Sequence, residues 1–311
     1  MRNVLVTGAL GQIGSELAPA LRERSDTDVV VGSDVQEPEE TDGPFETLDV
    51  TNEDELTAIV EEYDIDTIFH LAAILSAKGE KNPELAFDVN INGFHNVLEL
   101  GRSHDLEKIV VPSSIAVFGP ETPANPGVLT VLFPKTIYGI SKVFGEHLGN
   151  YYFDNYDLSV RGVRLPGIIS HKTLPGGGTT DYAVEVFYDA IQEGSYTYFV
   201  REDTRLPMMY MADAINSLIG IGDADDDELE YPCSYNVGAL SFTAGELTAA
   251  IQERLPEFEA TYEPDERQAI ADSWPESVDD SAAREDWGWD HEYGLDAMVD
   301  DMLENLSEKL G

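Results

Sequence analysis

The chain has 311 residues, 42% hydrophobic and 25% charged, a balance that suits a soluble globular protein and excludes a disordered one. Its 18 basic residues face 61 acidic ones, a formal net charge of −43, and such a surface repels nucleic acid and anionic membranes. No stretch approaches the roughly 18 apolar residues of a membrane span. No signal-peptide pattern precedes the first strand, and the single Cys233 rules out a disulfide framework or a multi-cysteine zinc cluster. The expected compartment is the cytoplasm. The acids are spread along the chain, with only short runs such as DADDDELE at 223–230. They therefore read as adaptation to high intracellular salt, where screening removes self-repulsion, and not as an acidic tail.

In chain order, NVLVTGALGQIGSELAPALRER (3–24) predicts a strand, a glycine-rich turn and a helix with Ile13, Leu17 and Leu21 on one face. DVVVGSD (28–34) is a second buried strand ending in an acid. NEDELTAIVEEYD (52–64) predicts a helix, DTIFHLAA (66–73) a strand, and NPELAFDVNINGFHNVLELGRSHD (82–105) a long helix. The strand KIVVPSSIAVFG (108–119), the long helix PKTIYGISKVFGEHLGNYYFDNY (134–156) and the strand LSVRGVRLPGII (158–169) follow. Strands alternating with helices imply right-handed crossovers, hence an α/β fold with a doubly wound parallel sheet. After about Pro166 short elements and glycines take over, and the tail carries tryptophans that suggest a small packed unit. A smaller C-terminal region closing over a nucleotide domain is expected.

Gly8, Gly11 and Gly14 follow the first strand in the spacing G-x-x-G-x-x-G and open the first helix. That placement lets backbone approach a pyrophosphate at a helix N-terminus. Asp34 ends the second strand, and Val35, Gln36 and Glu37 follow it with no base. An acid there accepts from the ribose hydroxyls and repels a 2′-phosphate, which favours NAD over NADP. Asp49 is a weaker candidate for the adenine edge.

Ser113 and Ser114 sit at the end of a central strand, where open parallel sheets expose ligand-binding groups. Tyr138 and Lys142, four residues apart, share one helix face. Ile137, Ile140, Phe144 and Leu148, spaced three, four and four apart, are expected to form that helix's core face. Tyr138 and Lys142 would lie at its edge.

The glycine loop, the acid after strand two, the strand-end serine and the Tyr-x-x-x-Lys motif occur in the order of the extended short-chain dehydrogenase/reductase superfamily, which the sequence resembles along essentially its whole length. The resemblance implies a Rossmann domain at 1–165 with contributions from about 207–238. It leaves 166–206 and 239–311 as the substrate-binding region. Tyr138 would be the general acid/base, with its phenol made more acidic by the Lys142 ammonium. Lys142 would also hold the nicotinamide ribose, Ser114 the reacting oxygen, and Ser113 would stand near the cofactor. Asn90 matches an asparagine used near the family's site. Further cofactor contacts are implied for Gln12, Ile13, Val50, Leu71, Ala72, Ala73, Leu165 and Ile168.

The segments LSAKGE, PKTIYGISK, RLPGIIS, PGGGTTDYAVE, TRLPMMYM, QAIADSWP and DDSAAREDWGW are similar to the short-chain type of L-threonine 3-dehydrogenase. This resemblance implies oxidation of L-threonine by NAD to 2-amino-3-oxobutyrate. It also implies a homodimer through the helices around 83–105 and 135–156, and a functional link to a 2-amino-3-oxobutyrate CoA ligase. Ser76, Thr179, Thr180 and Trp274 are candidates for the amino-acid pocket; Thr180 could equally cap a helix, and Trp274 could be a core aromatic. No metal is called for, and His70 reads as a packed or ribose-adjacent histidine. Two other readings stand beside this one. A nucleotide-sugar epimerase or dehydratase would need C-terminal bases to clamp a diphosphate, with Arg205 and Arg267 available. A non-enzymatic NAD sensor would be expected to have lost the Ser, Tyr or Lys that remain here.

Overall fold

The computed structural model describes residues 1–310 apart from 157, 175 and 177. The strands β1 (Asn3–Thr7), β2 (Val29–Asp34), β3 (Phe45–Thr47), β4 (Thr67–His70), β5 (Lys108–Val110) and β7 (Ser159–Arg161) form a parallel sheet in the order β3-β2-β1-β4-β5-β7. β6 is the short pair Ser113–Ser114. The crossovers are α1 (Gly14–Arg22), α2 (Glu53–Tyr63), α3 (Ser76–Lys81), α4 (Pro83–Phe87), α5 (Phe94–Ser103) and α6 (Ile137–Asn155). Strand order reverses between β1 and β4, and at such a switch point parallel sheets open a ligand crevice. Apart from the edge strand β3, the strands are largely buried on both faces, as their Val- and Ile-rich runs require.

The expected long strand at 158–169 is three segments in three sheets. β7 joins the main sheet, β8 (Val163–Leu165) pairs with β6, and β9 (Gly167–Ile169) pairs with β11 (Arg205–Tyr210). The breaks fall at Gly162, where a Cβ would collide with the Val111 carbonyl, and at Pro166, which has no N–H to give a ladder. Likewise the expected helix at 82–105 is α4 and α5 joined by a π-helical turn, Asp88–Gly93, a deviation that recurs at functional sites.

The remaining elements are α7 (Tyr182–Gln192), β10 (Ser195–Tyr198), α8 (Met211–Asp223), β12 (Tyr235–Asn236), β13 (Leu240–Thr243), α9 (Ala244–Arg254), β14 (Glu259–Tyr262), α10 (Arg267–Ala271), α11 (Ser281–Trp287) and α12 (Leu295–Leu310). One apolar core joins α7, α9 and α12 to β10, β11 and β13. Another packs α8 and β12 onto β1 and α1, and Trp289 belongs to it. The tail's Trp287 and Trp289 thus extend this second core, the one around β1 and α1, with ring centres 5.9 Å apart, instead of forming a unit of their own.

The expected face of α6 is only half met: Leu148 packs against the core and Ile137 is partly buried, but the middle of the stripe turns outward. Ile140 and Phe144 are 49% and 38% exposed, while Gly139, Ser141, Glu146, Gly149 and Tyr152 are buried. The reason is close approach. A Cβ at Gly139 would collide with the Ala116 carbonyl, and one at Gly149 would stand 2.6 Å from Cys233 Sγ. The helix lies too near the turn after β6 and the segment before β12 to fit a row of large aliphatic side chains beneath it.

Candidate active site

The phosphate loop is shaped by two glycines with no alternative. Gly8 has φ +70°, a left-handed conformation costly for other residues, and a Cβ on it would lie 2.8 Å from the Ala72 nitrogen. A Cβ on Gly14 would collide with the Gly8 carbonyl. The loop therefore folds tightly over the N-terminus of α1. Gln12 Nε2, buried in its wall, has no protein partner among the described residues. These features fit a dinucleotide: the loop leaves close-approach backbone and an unpaired donor where a pyrophosphate would bind. Asp34 lies at the rim, its carboxylate accepting from the nitrogens of Leu10 at 3.3 Å and Gln36 at 3.4 Å.

Ser114 ends β6, and its Oγ accepts from Ala116 N at 3.2 Å. Tyr138 falls in the first turn of α6, started by Thr136, whose Oγ1 accepts from Gly139 N at 3.0 Å. One turn on, Lys142 Nζ donates to the Pro112 carbonyl at 2.7 Å and stands 5.5 Å from the centre of the Tyr138 ring. Removal from water pushes the Tyr138 phenol up to about 12, opposed by a hydrogen bond from Ser114. The same cause pushes Lys142 down to about 8, opposed by the charge of Glu146. In this arrangement burial sets the direction of the Tyr138 shift, and the Ser114 hydrogen bond is the opposing influence.

One cavity of about 230 Å³ gathers most of the expected residues. Its walls include Gly8, Gly11, Gln12, Ile13 and Gly14 of the loop, Leu71, Ala73 and Ser76 after β4, and Ser113, Ser114, Tyr138 and Lys142. Leu165, Ile168, Thr179 and Trp274 complete the set, and Leu75, Pro112, Pro166 and Gly178 are additions the sequence reading did not make. Pro112 could have been found as the residue before the serine pair. Pro175 and Gly177 of the PGGGTT run lie outside the described residues.

Six expected residues do not line the cavity. Ala72 stands over Gly8, and Val50 packs against Gly93. The Asp49 carboxylate accepts from Thr51 N and Oγ1, and Asp34 holds the rim. Asn90 sits in the π-helical turn and clamps two segments: it accepts from Ile74 N at 2.7 Å and donates to Ile74 O at 3.0 Å and Ser141 Oγ at 3.2 Å. Thr180 packs behind the cavity against Gly167. His70 is a packed residue, stacked 5.6 Å from Phe94, with Nδ1 3.0 Å from Thr7 Oγ1 and its pKa pushed down to about 3 by burial. Among the described residues no cluster of His, Cys, Asp and Glu could hold a metal ion.

Fold and site define a class: an α/β enzyme with a glycine phosphate loop at one end of its crevice and a Ser-Tyr-Lys set at the other. The chain belongs to the NAD-dependent epimerase/dehydratase family, whose model matches residues 4–238. It is 47% identical over 315 residues, with 99% of each chain covered, to an uncharacterized epimerase/dehydratase of Staphylococcus haemolyticus. It superposes with a TM-score of 0.96 on the holo form of a GalE-like L-threonine dehydrogenase from Cupriavidus necator, at 51% identity over 98% of this chain and 99% of that one. A monomeric L-threonine 3-dehydrogenase from a metagenome database, in its apo form, matches with a TM-score of 0.95 at 48% identity over 98% and 99% of the two chains.

Proposed function

We propose that this chain oxidises the 3-hydroxyl of L-threonine with NAD, giving 2-amino-3-oxobutyrate, NADH and a proton. The observation that carries the reading is the single cavity in which Ser114, Tyr138 and Lys142 face Ser76, Thr179 and Trp274. The Thr179 hydroxyl in its wall is buried with no protein partner among the described residues, and a buried unpaired hydroxyl favours a polar ligand. Bound at the loop, the nicotinamide would take up the hydride. The chain's own part is to hold and move a proton: Tyr138 as phenolate takes the hydroxyl proton, Ser114 orients that oxygen, and Lys142 supplies the positive charge beside both. Thr180, behind Thr179, supports the pocket wall. In this reading residues 1–165 with 207–238 form the cofactor half, and 166–206 with 239–311 the substrate half, although Ala283, Trp287 and Trp289 of the latter pack on the core around β1.

The nucleotide-sugar alternative loses support from the C-terminal bases. Arg205 pairs with Glu246 and Arg267 with Asp265, and neither lines the cavity. The proposal extends to a homodimer, a cytoplasmic location and a CoA ligase that consumes the product. Among the described residues no helix is long and apolar enough to cross a membrane. The test is NADH formation with L-threonine, L-serine and UDP-sugars, with Tyr138→Phe as control. Turnover on threonine alone, lost in Tyr138→Phe, supports the reading; activity on UDP-sugars only, or full activity in the variant, defeats it.

A further inference from the structure

The catalytic helix carries a buried charge that the reaction above does not use. Glu146 stands one turn beyond Lys142 on α6 and is 3% exposed. Its Oε1 accepts from Ser113 Oγ at 2.5 Å and from Arg164 Nε at 2.8 Å, and its Oε2 accepts from Arg164 Nη2 at 2.7 Å. Arg164 lies on β8, paired with β6 so that Ser113 is opposite Arg164 and Ser114 opposite Leu165. Arg164 Nη1 donates to the Val128 carbonyl at 3.0 Å and to Asn236 Oδ1 at 3.3 Å. Asn236 Nδ2 donates in turn to the carbonyls of Pro126 and Asp279. The network therefore ties together the strand of Ser114, the helix of Lys142 and the loop that runs from Ser114 to Tyr138.

Stability alone is a weak reason for such a pair. Desolvating a carboxylate and a guanidinium offsets much of their attraction, and apolar residues of equal volume often hold a fold as well. Its location is more telling, one hydrogen bond from the serine pair and one turn from the lysine. We propose that Glu146 is a positioning residue for the Ser114-Tyr138-Lys142 site, holding through Ser113 the strand end from which Ser114 projects and offering Lys142 a counter-charge along α6. This rests on the hydride-transfer reading of the site.

His147 and Asp154 of α6, with Glu230 and Tyr231, line one cleft with Glu146 and Arg164. Tyr138 and Lys142 share α6 with Glu146. His70 faces Lys142 from β4, and burial together with the lysine's charge pushes it down. Arg164 on β8 and the Cys233 thiol stand around Glu146, and burial pushes that thiol well up, with Glu146 adding to the effect. The charge of Glu146 opposes the desolvation of Lys142.

The test separates fold from chemistry. In the Glu146→Leu/Arg164→Met double variant both buried charges go and their volume stays filled; Glu146→Gln removes the carboxylate charge alone. Thermal unfolding, kcat and KM for L-threonine across pH, and competitive acetylation of Lys142 read by mass spectrometry are measured on each. The double variant is expected to unfold near the wild-type temperature with KM little changed. Its kcat should fall about tenfold or more, and its Lys142 acetylation midpoint should move to lower pH. A double variant with wild-type stability, full kcat and an unmoved midpoint would overturn the proposal. If it does not fold, Glu146→Gln decides on the same readouts. A wild-type protein inert toward threonine defeats the substrate reading, and the acetylation midpoint still tests the role of Glu146.

Discussion

Lys142 Nζ lies 5.5 Å from the centre of the Tyr138 ring, one turn along the same helix, and removal from water shifts the two groups in opposite directions. The phenol is pushed up to about 12 and the ammonium down to about 8. Both shifts favour the neutral forms, because burial penalises the charged one in each group.

That relationship gives a stability profile with a definite sign. Between about 8 and 10.5 the unfolded chain still holds the Lys142 proton and the folded chain does not, so this group makes stability rise with pH across that window and its contribution is lost as pH falls through 8. Between 10 and about 12 the unfolded chain has lost the Tyr138 proton that the folded chain keeps, so stability falls. Lys142→Met is expected to remove the first slope and Tyr138→Phe the second, as read from denaturant unfolding at a series of pH values. Parallel curves for wild type and both variants would contradict these shifts.

Ser114 is the group whose hydrogen bond opposes the rise of the Tyr138 phenol. Ser114→Ala should lower kcat by about a hundredfold, the usual scale for one donor at a reacting oxygen. It should also move the rising limb of the pH–rate profile to higher pH. A variant that changed KM for threonine alone would show a purely binding role.

Gly14 admits no side chain, since a Cβ would collide with the Gly8 carbonyl. Gly14→Ala should open the loop and weaken NAD binding by about tenfold or more, the effect of lost close approach at a pyrophosphate. Quenching of tryptophan fluorescence on NAD titration measures it. Unaltered affinity would mean that the cofactor does not use this loop.

Among the described residues ten arginines form ion pairs with carboxylates, yet the chain keeps a net charge of −43. Self-repulsion of that size should be relieved by screening. The thermal midpoint is expected to rise by several degrees between dilute buffer and molar KCl. Equal midpoints would end the reading of salt adaptation.

Ile140, Phe144, Leu85 and Phe87 leave a large apolar area exposed on α4 and α6. An area of that kind favours association with a second copy. Sedimentation velocity should show a dimer in the wild type and a monomer in Ile140→Glu/Phe144→Glu. A wild-type monomer, as the metagenome relative is described, would refute it.

The sequence by itself determined the alternation of strand and helix, the glycine loop, the acid after β2, and the Ser114-Tyr138-Lys142 set. These are legible because backbone conformation and reactive side chains depend on residue type and short spacing. Only the tertiary structure decided that α6 turns Ile140 and Phe144 outward. An apolar stripe reads as a core face until the closeness of the turn after β6 and the segment before β12 demands Gly139 and Gly149 there. Only it decided, too, that 158–169 divides among three sheets, and that Asn90 clamps Ile74 and Ser141 instead of reaching the cavity. The Glu146–Arg164 pair was likewise invisible, since its residues are 18 positions apart and charge in a sequence reads as surface until a fold surrounds it.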